Sequence, residues 1–120
     1  MSILPLTQDS HHFFNESKFN LMSETAVFVN IGRGPTVKED DLIKALENKN
    51  IGGAILDVFE KEPLDKESKL WGLENVLMTP HSADLTGDYF TLGFEIFKKE
   101  FLNYSSGKPL TCQVNKKKGY

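Results

Sequence analysis

The sequence predicts an α/β fold built on an open parallel sheet, and three observations carry that expectation. Three short runs, Ala26–Ile31, Ala54–Phe59 and Val76–Met78, are rich in apolar and β-branched residues without polar alternation, the pattern of strands buried on both faces of a parallel sheet. A helical pattern separates the first two, which makes a right-handed βαβ crossover. After the third, aromatic residues recur at helical spacing over a long segment, as on one face of a helix.

Taken in chain order, Asn15 is placed to cap a short helix bearing Phe19, Leu21 and Met22. Thr36 with Glu39 three residues on has the form of a capping box, and Leu42, Ile43, Ala45 and Leu46 give the following helix, Val37 to Glu47, its apolar face. Asn48, Asn50 and Gly52-Gly53 end that helix and return the chain to the second strand. From Asp84 to Tyr104, Phe90, Phe94, Phe97, Phe101 and Tyr104 follow at steps of four, three, four and three. Leu85, Tyr89, Leu92, Ile96 and Leu102 widen the sector expected to be buried. Gly107-Lys108-Pro109 breaks the pattern, and the remaining tail to Tyr120 is expected at the surface with weak extended character.

A chain of 120 residues with 39% hydrophobic residues fits one domain with a modest core. The formal charge of -3 gives no general attraction to nucleic acid or anionic lipid, and Lys116, Lys117 and Lys118 read as a solvated tail. Cys112 is the only cysteine, so there is no intrachain disulfide and no multi-cysteine metal site. No apolar run is long enough to span a bilayer, and Met1 to Pro5 lack the features of a signal peptide. A soluble cytoplasmic protein without metal, nucleic-acid or membrane partners is the expectation.

Each strand runs into a polar loop: Asn30 to Gly34, Asp57 to Pro63 and Thr79 to Ala83. In open parallel sheets, ligands bind beyond the carboxyl ends of the strands, where such loops converge. Gly32-Arg33-Gly34 lets the backbone pass close to a ligand, while Arg33 reads either as a surface ion pair or as a guanidinium fork for a carboxylate. Asp57 interrupts an apolar run, so it must either cap a neighbouring loop or face a cavity, because an unpaired buried carboxylate costs several kcal/mol. Glu62 before Pro63 and His81 after Pro80 lie on stiffened backbone. A Glu–His pair there would fix the tautomer and raise the imidazole pKa, making a proton donor near neutral pH; a histidine alone is more often structural. A His81–Ser82–Asp57 hydrolase triad has little support, since adjacent side chains on an extended segment point apart.

Together, Asn30-Ile31-Gly32-Arg33-Gly34, Leu56-Asp57-Val58-Phe59-Glu60-Lys61-Glu62-Pro63 and Thr79-Pro80-His81-Ser82-Ala83 resemble the D-isomer-specific 2-hydroxyacid dehydrogenases, in their glyoxylate/hydroxypyruvate reductase-like branch. The resemblance extends back through Leu4-Pro5-Leu6-Thr7 and forward to Gly107-Lys108-Pro109-Leu110. It implies an incomplete Rossmann-type sheet, the second half of a nucleotide-binding domain, over residues 1–104 with a tail over 105–120. It also implies NAD or NADP as cofactor and a 2-oxo or 2-hydroxy acid as substrate. In these roles Arg33 binds the substrate carboxylate, His81 donates the proton and Glu62 orients His81. Asp57 bonds the nicotinamide carboxamide. Asn30, Ile31, Gly32 and Arg33 line the nicotinamide with His81, Ser82 and Ala83, and Leu4, Pro5 and Thr7 lie along the adenosine.

The Gly-x-Gly-x-x-Gly fingerprint that cradles a pyrophosphate is absent from the chain, as is a substrate-capping domain. Ser2-Ile3-Leu4 reads as the stub of a sheet strand, so the chain corresponds to the back part of such an enzyme. Two functions follow as expectations: an oxidoreductase portion with weak cofactor binding and little or no turnover alone, or a non-catalytic module that dimerises through the aromatic surface of the 84–104 helix.

Overall fold

Residues 1–120 are described by a computed structural model, and the apolar runs form a three-stranded parallel sheet in the order β1-β2-β3, with β1 at Val27–Asn30, β2 at Gly53–Leu56 and β3 at Val76–Met78. Register sets Val29 opposite Ile55 and Ile55 opposite Leu77, with Asn30, Leu56 and Met78 in the next row. Ser2 makes one further parallel bridge to Asn30: its N–H donates to the Val29 carbonyl at 2.7 Å and its carbonyl accepts from Ile31 N–H at 3.2 Å. The expected strand stub is present as this single bridge.

One face of the sheet is covered. Helix α1 (Glu16–Phe19) and helix α2 (Glu39–Glu47) lie on it, and Phe19, Leu42, Leu46, Phe28 and Leu56 form a cluster with exposures of 4% or less. Each such side chain contributes roughly 1.5–3 kcal/mol by leaving water, and Phe19 meets Phe28 edge to face at 5.4 Å. The other face is open, with Val27 at 54%, Ile55 at 36% and Leu77 at 60% exposure. This corrects the expectation of strands buried on both faces. Absence of polar alternation shows that both faces are apolar, but covering a face requires a layer that this face does not meet.

Local capping also departs from expectation. Asn15 precedes α1 but its side chain makes no cap bond to that helix; Asp41 Oδ2 instead accepts from Glu16 N–H at 3.0 Å. The Thr36–Glu39 capping box does not form. Thr36 sits in the short 3-10 turn Gly34–Thr36 and donates its hydroxyl to the Arg33 carbonyl. Glu39 pairs reciprocally with Glu60: Glu39 N–H donates to Glu60 Oε2 at 3.0 Å and Glu60 N–H donates to Glu39 Oε2 at 3.1 Å. The first donor of α2, the Glu39 N–H, is thus satisfied by a loop 21 residues away.

The chain forms two compact units, Met1–Ala83 and Asp84–Tyr120. In the second, helix α3 runs from Tyr89 to Ser105 and ends where Gly107 takes a left-handed backbone at φ 68° and Lys108 N–H returns to the Asn103 carbonyl at 2.8 Å. Its aromatic ladder forms as the spacing predicts, with Phe97 stacked on Phe101 at 6.2 Å. No residue of α3 is buried, which corrects the expectation of a wide buried sector. The tail forms no strand. It is tethered where Thr111 donates from its N–H and hydroxyl to Glu100. No helix is long and apolar enough to cross a membrane.

Candidate active site

The first loop is held from inside. Asn30, 1% exposed, accepts from Gly32 N–H at 3.2 Å and donates its amide to the Arg33 carbonyl at 3.3 Å. A Cβ on Gly32 would lie 2.9 Å from the Leu4 carbonyl oxygen, and one on Gly34 only 1.7 Å from the Phe59 carbonyl oxygen. The close approach that these glycines permit is therefore to the chain's own backbone, which packs this loop against the Ile3–Leu4 segment and against the second loop. Leu4, Pro5 and Thr7 follow the Ser2 bridge, in a turn closed by Ser10, whose hydroxyl donates to the Pro5 carbonyl at 2.6 Å. Ile31 is partly exposed beside them. Arg33 is exposed, makes no ion pair, and folds its guanidinium onto the Gly32 carbonyl at 2.7 Å. Of its two readings, a committed surface ion pair is not what forms.

The second and third loops are joined by two carboxylates. Asp57, 3% exposed, accepts from the Thr79 hydroxyl, from Ser82 N–H at 2.8 Å and from Ala83 N–H at 2.9 Å. Burial alone would raise its pKa, but these three donors outweigh burial and hold the carboxyl below its ordinary value. Asp57 thus fixes the third loop, the first of the two roles open to it.

Glu62 holds the histidine. Its Oε2 lies 2.8 Å from His81 Nδ1 and its Oε1 accepts from Phe59 N–H at 2.9 Å. With a carboxylate at Nδ1, that nitrogen carries the proton and donates, while Nε2 has no partner within the chain. The bond to Glu62 and its negative charge push the His81 pKa above its ordinary 6.5, while desolvation and the Arg33 cation pull the other way. For Glu62 itself, desolvation acts upward, but His81 and the Phe59 amide bring the net shift below the ordinary value. His81 has φ 51°, a left-handed backbone rarely adopted by a non-glycine residue, and such strain gathers at functional sites.

Beside this pair, in the Met1–Ala83 unit, opens a cavity of about 680 Å³ lined by Phe59, Leu64, Trp71 and Met78, with Glu62, Thr79 and His81 as its polar members. Sequence reasoning did not find it, because it is assembled from the second loop, the 3-10 turn Lys69–Gly72 and the end of β3. His12 is a further residue that the sequence does not single out. Its Nε2 pairs with Glu60 Oε1 at 2.6 Å and its N–H donates to the Pro35 carbonyl at 2.9 Å, a link across 48 residues that no spacing signals. No group of three or more His, Cys, Asp or Glu is placed to hold a metal ion.

The family model described as D-isomer specific 2-hydroxyacid dehydrogenase, NAD binding domain, matches residues 1–83. The chain belongs to this family. The resemblance of the three loops is thereby confirmed, and with it a Rossmann-type parallel sheet present in part. The chain is 53% identical over 84 residues to a probable 2-ketogluconate reductase of Dictyostelium discoideum, covering 70% of this chain and 25% of that protein. It is 50% identical over 84 residues to a glyoxylate/hydroxypyruvate reductase B of Klebsiella pneumoniae, covering 70% and 26%.

Solved structures of the family superpose on nearly the whole chain. A dehydrogenase of Xanthobacter autotrophicus in complex with NADPH gives a TM-score of 0.90 at 36% identity, over 98% of this chain and 48% of that one. The NADPH-dependent glyoxylate/hydroxypyruvate reductase of Sinorhizobium meliloti, in complex with NADP and sulfate, gives 0.89 at 40% identity over 98% and 38%. The chain therefore spans about a quarter of the length of these curated relatives and less than half of these solved ones.

The loops that follow β1 and β3 stand beyond the carboxyl ends of these strands, the side on which an open parallel sheet receives its ligands, and the Gly32, Ser82 and Ala83 N–H groups there are already bonded to Asn30 and Asp57. These residues offer no cradle for a pyrophosphate, because Gly32 and Gly34 are already closed by Leu4 and Phe59 and no other glycine-rich turn in the chain follows a strand.

Proposed function

We propose that this chain is the acid-bearing portion of an NAD(P)-dependent oxidoreductase that reduces a 2-oxo acid to a 2-hydroxy acid. The observation that carries the proposal is the Glu62–His81 pair at 2.8 Å, which leaves Nε2 as the one uncommitted nitrogen of an imidazole whose pKa is raised. His81 donates a proton from Nε2 to the carbonyl oxygen as that oxygen gains charge; Glu62 is a positioning residue that holds the ring and stabilises its cationic form. Arg33, unpaired and exposed, binds the substrate carboxylate through its guanidinium fork. The bound nicotinamide cofactor supplies the hydride. The proton and hydride together balance the conversion of C=O to CH–OH.

Asn30, Ile31, Gly32, Ser82 and Ala83 line the nicotinamide in this proposal, Leu4, Pro5 and Thr7 the adenosine side, and residues 1–104 act as the nucleotide-binding portion with 105–120 as a tail. Asp57 serves the nicotinamide site by holding Ser82 and Ala83, and its Oδ2, which takes only one bond in the chain, is the acceptor for a carboxamide. With no pyrophosphate cradle, cofactor affinity is weak and turnover by the chain alone low or absent. The test is calorimetry with NADH and NADPH alongside a glyoxylate and hydroxypyruvate reduction assay. Robust turnover by this chain alone refutes the weak-binding reading, and no perturbation of His81 by any 2-oxo acid refutes the site.

The exposed aromatic helix supports a second reading. Phe94, Phe97 and Phe101 are 57–62% exposed, and an apolar helix face of this length closes most simply against the same face of a second copy. On this reading the chain is a cytoplasmic homodimer, and its value to the cell is the association itself.

A further inference from the structure

The loop that aims His81 is tethered to the rest of the fold by a second Glu–His pair. From Val58 to Leu64 the main chain makes no backbone–backbone hydrogen bond, so side chains fix its path. Val58 and Phe59 are buried at its start, and the bond from Phe59 N–H to Glu62 Oε1 is internal to the loop. The hydrogen bonds that lead out of it are made by Glu62, to His81, and by Glu60. Glu60 N–H donates to Glu39 Oε2 at 3.1 Å, Glu60 Oε2 accepts from Glu39 N–H at 3.0 Å, and Glu60 Oε1 accepts from His12 Nε2 at 2.6 Å. We propose that His12 is a positioning residue for the proton donor: by holding Glu60 it fixes the loop from which Glu62 aims the His81 ring.

The inference rests on the proposed role of His81, and its physical basis is that His12 is itself a fixed point. His12 N–H donates to the Pro35 carbonyl at 2.9 Å and the His12 carbonyl accepts from Asn15 Nδ2 at 3.2 Å. Its backbone is left-handed at φ 51°, as is that of His81, a conformation that a non-glycine residue keeps where its surroundings impose it. His12 also answers a charge conflict. Burial, together with the Glu60 and Asp40 charges, raises the Glu39 pKa above its ordinary 4.5, although the Glu60 amide acts the other way. Among the side chains bonded to Glu39 and Glu60, His12 is the only one able to carry a positive charge. Without it, two carboxylates repel across the joint between the loop and α2. With exposures of 32% and 36%, the His12–Glu60 pair adds little to overall stability; its effect falls on where the loop lies.

The test compares His12→Met with His12→Gln in the 120-residue chain. Both replacements are unbranched, similar in length and equally strained at φ 51°, but glutamine keeps an N–H donor for Glu60. Followed by NMR, the His81 midpoint should fall toward 6.5 in His12→Met by about half a pH unit, about a threefold loss of proton affinity, with faster hydrogen exchange at Phe59 N–H. His12→Gln should recover most of that shift. The other charges that act on the ring, Asp57 and Arg33, are unaltered in both variants. Glu60→Gln breaks the same bond from the loop side and should lower the midpoint likewise, which decides the matter if His12→Met does not fold. A folded His12→Met or Glu60→Gln whose His81 titrates as in the parent overturns the inference, and so do equal shifts in His12→Met and His12→Gln. A shifted midpoint in a chain whose His81 responds to no 2-oxo acid refutes the proposed function and leaves the positioning role standing.

Discussion

Asp57→Asn is the substitution whose cost follows most directly from the structure. The carboxylate is 3% exposed and accepts three hydrogen bonds, from the Thr79 hydroxyl, Ser82 N–H and Ala83 N–H. Bonds to an ionised acceptor are worth about 1.5–3 kcal/mol each. An asparagine keeps one acceptor oxygen but turns an NH₂ group toward either Thr79 and Ser82 or Ala83, so at least one donor faces a donor. Removing the charge returns part of the loss, because a buried carboxylate carries a desolvation cost, and the exposed Ala83 amide can bond water. The expected net loss is about 2–3 kcal/mol, measured by urea unfolding followed by circular dichroism at pH 7. The sign with pH is fixed by linkage. Asp57 titrates below its ordinary 3.8 in the folded chain, so its contribution is present above that value and is lost as pH falls through the lower, folded one. The gap between parent and variant should therefore close in acid. A loss under about 0.5 kcal/mol at pH 7, or one that persists unchanged in acid, refutes the reasoning.

Three further outcomes are expected. The His81 ring, followed by NMR, should titrate above 6.5, and Glu62→Gln should return it toward that value; since the folded pKa is the higher one, the pair stabilises the fold below 6.5 and ceases to do so as pH rises through the folded pKa. Gly34→Ala should destabilise by about 3 kcal/mol or more, because its Cβ would meet the Phe59 carbonyl at 1.7 Å, whereas Gly93→Ala, in open space within α3, should gain up to about 1 kcal/mol of helix stability in thermal unfolding. If α3 mediates self-association, Phe94→Glu combined with Phe97→Glu should convert a dimer to monomer in sedimentation equilibrium; a parent chain that is monomeric at micromolar concentration refutes the dimer.

Which parts of the molecule were legible in the sequence depended on the range of the physics involved. Strand positions and helix α2 came from local periodicity, and Val27, Phe28, Ala54 and Leu56 lie in the strands that the apolar runs predict. The Glu62–His81 pair was legible because two prolines and two strand ends narrow where those side chains can go. Partnerships over long sequence separations were not. The reciprocal Glu39–Glu60 pairing replaced an expected local capping box, and His12 pairs with Glu60 across 48 residues. Periodicity likewise identified the apolar faces of β1 to β3 and of α3 without saying what covers them, since burial is a property of two surfaces and the pattern belongs to one.

The two carboxylates of the second loop have a consequence for how this region can change over time. Asp57 grips the backbone of Ser82 and Ala83, and Glu62 grips the ring of His81, so the proton donor takes its orientation from a strand end that is not its own. The stretch between, with Asp65, Lys66 and Glu67 exposed, is released from the task of aiming the imidazole. A change of length there would reach the cavity wall at Leu64 and Trp71 without touching the bonds that hold His81. The shape of the cavity wall and the aim of the imidazole are in this way set by different bonds, and one can change without the other.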